Sequence, residues 1–117
     1  MTESPAANLG TASERALEVR ALYETLEKRF TGRTWSLQEL MIGYSNDVAQ
    51  VGRLLLATNG TWPAEGDVTA QLRQKLSESL WWTFVLASQL GIDIDQAFTE
   101  TMDSIESGLV ETIDRTA

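Results

Sequence analysis

The chain has 117 residues, 43% of them hydrophobic, which is enough for one domain with a core and too few for two. Its 9 basic and 17 acidic residues leave a net charge of −8, the wrong sign for gripping a nucleic-acid polymer or an anionic membrane surface. Without cysteine or histidine, disulfides, thiolate nucleophiles, Cys/His zinc sites and Ser–His triads are excluded.

In chain order, residues 1–12 show no periodicity and read as a flexible N-terminal tail, with a single domain over 13–117. The opening MTESPAANLG lacks the basic start and apolar run of a signal peptide, and Leu80–Ala87 falls far short of the ~20 residues that span a bilayer, so the expected location is cytoplasmic. Thr11 and Glu14 are spaced as a capping box for a first helix starting near Ser13. Ala16, Leu17, Leu22, Leu26 and Phe30 partly line one face, and Gly32 stops the helix. Trp35 follows, placed to staple onto the next helix.

Ser36 and Glu39 form a second capping box. The helix they open carries Leu37, Met41, Tyr44, Val48, Val51 and Leu55, a heptad rhythm that predicts packing along another helix. Asn59-Gly60 ends it, and Asp67 is a good N-cap for a third helix running to Leu90, where Gly91 is the stop. From Leu80 to Ala87 this third helix is apolar nearly all round, which implies burial on more than one side. Asp93 caps a fourth helix through Ala97, Phe98, Met102, Ile105 and Leu109. The expectation is an all-α, four-helix protomer. So broad an apolar surface in so small a domain predicts a homodimer, or a tetramer built from it, in which helices two and three of both copies share a core.

The block KLSESLWWTFVLASQLGIDIDQAF resembles the second half of the MazG-type all-α nucleotide pyrophosphohydrolases. Leu80-Trp81, Leu86-Ala87, Leu90-Gly91-Ile92-Asp93 and Ala97-Phe98 carry the likeness, and MIGYSNDVAQVGRLLLA lies without gaps on the family's preceding helix. The resemblance runs from about Glu18 to Ile105 and implies a MazG-like four-helix fold. It also implies a magnesium-dependent activity that splits nucleoside triphosphates into the monophosphate and pyrophosphate. Family members hold the metal with E-E-x-x-E on one helix and E-x-x-D on the next, a spacing that stacks carboxylates on facing helical faces.

At those positions this chain has Asn46-Asp47-Val48-Ala49-Gln50 and Lys75-Leu76-Ser77-Glu78. Asp47 and Glu78 keep a carboxylate; Asn46 and Gln50 offer only amide oxygens, and Lys75 replaces an acid with a cation. Asp47 also falls at one-heptad steps between Leu40 and Leu54, where an acid needs a partner. Three readings stay open. Lys75 and Glu78 form a structural ion pair with Asp47; or Lys75, with Arg53, offers fixed charge to a phosphate; or Asp47, Glu78, Asn46 and Gln50 hold Mg²⁺ with fewer acids. Trp81 is a candidate base-stacking wall, with core or dimer packing as the alternative. The functional expectation is a MazG-like homologue whose hydrolysis is weakened or lost, with Asp47 and Glu78 catalytic if it is active. The alternative is a non-catalytic dimer that binds a nucleotide or a protein.

Overall fold

The computed structural model describes residues 8–117, and within them the chain forms four α-helices and no strand. They are α1 (Leu9–Thr31), α2 (Leu37–Thr58), α3 (Val68–Gln89) and α4 (Ile94–Thr116). Each begins at a side chain that accepts from an N–H the helix itself leaves orphaned. Ser36 accepts from Glu39 at 3.2 Å, Asp67 from Ala70 at 3.0 Å and Asp93 from Gln96 at 3.2 Å, as the sequence predicts.

α1 departs from expectation at its start. Asn8 accepts from the Thr11 N–H at 2.8 Å, so the helix begins at Leu9, a turn before Ser13, and Thr11 lies inside its first turn rather than capping it. Asn is as strong a cap as any residue, no proline lies between Asn8 and Ser13, and the one glycine there, Gly10, costs only about 1 kcal/mol of helix propensity. Residues 1–7 of the expected tail lie outside the described residues. α1 ends at Gly32, whose φ of 79° is open to glycine at no steric cost, and the Gly32 N–H returns to the Lys28 carbonyl at 2.9 Å.

α2 and α3 run antiparallel and form the centre of the fold, with Leu40, Trp82 and Val85 as its sealed core and Tyr44, Trp81 and Leu86 packed around it. α2 buries Leu40, Asp47 and Leu54, again at heptad steps. The expected seam splits along this line. Leu37, Tyr44 and Val51 are half-buried, while Met41, Val48 and Leu55 face outward. α3 buries Trp82, Phe84, Val85 and Ala87, yet Leu76 and Leu80 stay exposed, so burial on several sides holds only for its last turns.

α1 lies across α3 and buries Ala16 and Arg20, whereas Leu22 and Phe30 point to solvent. The expected apolar stripe is therefore not the packed one. The buried face follows Ala16, Arg20 and Glu27, because a bidentate ion pair between the two charged side chains lets them enter a dry interface. α4 buries no residue, and its main packing is against α1. It carries Phe98, Met102, Ile105 and Leu109 on one open face, and its six carboxylates against the single cation Arg115 account for most of the net charge. Among the described residues no helix is long and apolar enough to cross a membrane.

The α1–α2 connection is fixed by ionic chemistry. Arg33 donates to both oxygens of Glu39, at 2.6 and 3.0 Å, while Glu39 also accepts from the Ser36 N–H at 2.9 Å to close the capping box. The Arg33 guanidinium, then the Ser36 N–H, hold the Glu39 carboxyl down at about 2 from an ordinary 4.5. A lowered folded-state pKa stabilises the protein above the unfolded value, and that contribution disappears as pH falls from about 4.5 toward about 2. Glu39→Gln is expected to flatten the acid side of a melting-temperature profile across that window and leave it unchanged in shape near neutrality. An unaltered acid limb would mean that the Arg33–Glu39 contact contributes nothing.

Candidate functional site

The site grows out of one close approach. Gly43, in the middle of α2, has no side chain, and the Trp82 indole lies against its backbone; a Cβ there would meet the ring at 2.5 Å. This places the Trp82 Nε1–H on one Asp47 carboxylate oxygen at 2.7 Å. Lys75 Nζ donates to the other oxygen at 3.3 Å and to Glu78 at 3.0 Å, and Gln74 Nε2 adds a bond to Glu78 at 2.8 Å. Asp47, 9% exposed, is thereby satisfied on both oxygens. The hydrogen bond to Glu78 and the contact with Asp47 raise the Lys75 pKa against the opposing effect of desolvation.

The second charged pair lies close by on α1. Arg20 grips Glu27 through both terminal nitrogens, at 2.5 and 3.1 Å, and Glu27 also accepts from the Trp35 N–H at 2.7 Å. Desolvation pushes the Glu27 carboxyl up, but Arg20 and the Trp35 N–H outweigh it and hold the pKa below the ordinary value. Arg20 is 5% exposed, and its Nε–H is the one buried side-chain polar atom among the described residues with no acceptor.

Between these pairs opens a cleft of about 630 Å³, bounded by α1, α3 and the α1–α2 connection. Its walls are aromatic. Trp35 stacks on Trp82 with centroids 6.4 Å apart, Trp82 meets Trp81 edge to face at 4.8 Å, and Trp81 tilts against Tyr23 at 5.4 Å. The Trp81 Nε1–H reaches the Ala16 carbonyl at 2.9 Å, locking α1 to α3. Trp35 thus packs onto α3 through Trp82, with its own backbone N–H held by Glu27 and its ring lining the cleft.

The structure thus brings Asp47, Lys75 and Glu78 together and sets Trp81 on the cleft wall beside them. The remaining candidates lie elsewhere. Asn46 is exposed. Gln50 and Arg53 line a separate hollow of about 350 Å³ that Lys75 also reaches, and the Arg53 guanidinium stands over the Trp62 ring at 5.3 Å. Arg20, Glu27 and Gly43 escaped the sequence reading. The seven-residue spacing of Arg20 and Glu27 was the available signal, since it puts opposite charges on one helical face two turns apart.

A magnesium ion needs several oxygen ligands in near-octahedral array. Here Lys75 and Trp82 occupy the Asp47 oxygens, and among the described residues no group of three or more His, Cys, Asp or Glu side chains is placed to hold a metal. This donor set, as it stands, does not fit the ion that the resemblance implies. Fold and site together define an all-α helical bundle with a part-buried carboxylate–ammonium cluster at the edge of an aromatic cleft. No family model, curated protein or solved structure matches the chain.

Gly→Ala in a helix interior ordinarily stabilises by about 1 kcal/mol through propensity. At Gly43 the new methyl would enter the Trp82 ring, which its bond to Asp47 prevents from yielding, and overpacking costs about 1–3 kcal/mol. Gly43→Ala is therefore expected to lower stability in chemical denaturation and to red-shift the tryptophan emission. A stabilised variant with native emission would show that Trp82 does not rest on α2.

Proposed function

We propose that this chain is a MazG-like homologue in which nucleotide hydrolysis has given way to ligand binding, acting as a homodimer. One observation carries the reading: Lys75 Nζ bridges Asp47 at 3.3 Å and Glu78 at 3.0 Å, placing a fixed cation between the two acids where the resemblance implies a metal. An ammonium balances carboxylate charge, but it has no open coordination position at which to generate a hydroxide, which is the metal's role in such chemistry. The neighbouring cleft is retained, large enough for a small molecule and lined by tryptophans.

The dimer rests on surface arithmetic. A compact domain of this length has a radius of gyration of about 13 Å and an accessible surface of about 6,300 Å². This chain has 18.3 Å and 8929 Å². The excess, roughly 2,500 Å² per chain, is of the size that obligate dimers bury. Met41, Val48 and Leu55 of α2 and Leu76 and Leu80 of α3 form uncovered apolar faces on neighbouring helices that carry few charges, so a second copy can cover them without stranding an ion.

Two measurements test the reading. Incubated with a panel of deoxynucleoside triphosphates and Mg²⁺ or Mn²⁺, the protein is expected to release no pyrophosphate above the protein-free rate; metal-dependent turnover abolished by Asp47→Ala would refute the non-catalytic assignment. In sedimentation equilibrium the chain is expected at twice its monomer mass. Val48→Glu, which sets a charge in the uncovered α2 face, should shift it to monomer, and a native chain that sediments as a monomer at micromolar concentration would remove the dimer.

A further inference from the structure

The charges around the aromatic cleft point away from a polyphosphate. Its wall carries the acids Glu27, Asp47 and Glu78 and one cation, Arg20, whose terminal nitrogens are committed to Glu27. Counting Lys75, which neutralises one acid from behind, the surroundings remain net negative, within a chain of net charge −8. A polyanion entering here meets repulsion and no free donor cation. A positive ligand is favoured instead, because the unbalanced acid charge and the electron-rich rings both attract it.

We propose that the cleft binds a compact organic cation, a quaternary or protonated amine. Trp35, Trp81 and Trp82 border the same space as Glu78, so a cationic head entering the cleft meets tryptophan rings with a carboxylate within its field. Glu78 is suited to this role because it sits at the edge of the cleft, its side chain 34% exposed. Each of its oxygens has one protein donor and room for a further interaction. The proposal takes from the preceding reading only that the cleft is a binding site, and it stands whether or not the chain dimerises.

The test uses choline and 3,3-dimethylbutan-1-ol, which replaces the choline nitrogen with carbon and keeps the shape without the charge. Both are titrated into the intact protein, with tryptophan fluorescence and melting temperature as readouts. Choline is expected to quench the emission and raise the melting temperature, and the neutral analogue to bind about tenfold more weakly, a factor within the range of cation–aromatic attraction. Trp35→Ala and Glu78→Gln should each weaken choline by about the same factor. Glu100→Gln, which removes an equal charge from exposed α4, should leave it unchanged. Equal binding of the two compounds would reduce the cleft to an apolar pocket and overturn the proposal, as would no response to either. Deoxynucleoside triphosphate binding that quenches the same tryptophans more strongly than choline would overturn it too, while leaving the assignment of a ligand-binding MazG-like chain intact.

Discussion

The Trp82–Asp47 hydrogen bond is the contact on which the arrangement depends. It joins the two central helices at 2.7 Å inside the core and exists only because Gly43 lets the indole lie against the α2 backbone. A hydrogen bond to a charged group contributes about 1.5–3 kcal/mol, and losing one partner in a buried site costs more, since an acid is left with fewer donors. Once Trp82 is in place its neighbours follow. Trp35 stacks on one side, Trp81 meets it edge-on, and Lys75 completes the Asp47 shell from two turns earlier in α3. A contact that joins the central helices and a wall of the cleft are thus the same side chain.

Much of this was legible in the sequence where the chemistry is local. The caps at Ser36, Asp67 and Asp93 and the stops at Gly32 and Gly91 depend on residues within a few positions of one another, and the helices follow them. The meeting of Asp47 with Lys75 and Glu78 was legible as well, because an acid at heptad steps between leucines must find a donor. What stayed hidden depends on contacts between helices. Gly43 looks like a weak point in a helix until the ring above it is known. Arg20 and Glu27 read as surface charges until their mutual pairing allows them to turn inward, which in turn displaces Leu22 and Phe30 to solvent.

Charge is segregated along the fold. α4 holds most of the net negative charge on a helix whose main contact is α1, while α2 and α3, which make the core, carry few ions. Acids on α4 are spread in water, where screening over about 8–10 Å limits their reach. Those on the cleft wall, Glu27, Asp47 and Glu78, act at short range beside low-dielectric rings, so they shape the field inside the cleft more than the many acids on α4 do.

The Trp81 bond to the Ala16 carbonyl also orders the steps by which the molecule forms. It closes a separation of 65 residues, against 28 for Lys75 and Asp47, and the extra loop adds roughly 0.7 kcal/mol to the entropy of closure. Local contacts form sooner, so the α2–α3 hairpin assembles before α1 docks. Yet α1 emerges first from the ribosome. α1 must wait, with Arg20 and Glu27 paired within its own surface, until the tryptophans that receive it have been synthesised, and the cleft takes shape only once α1 has docked.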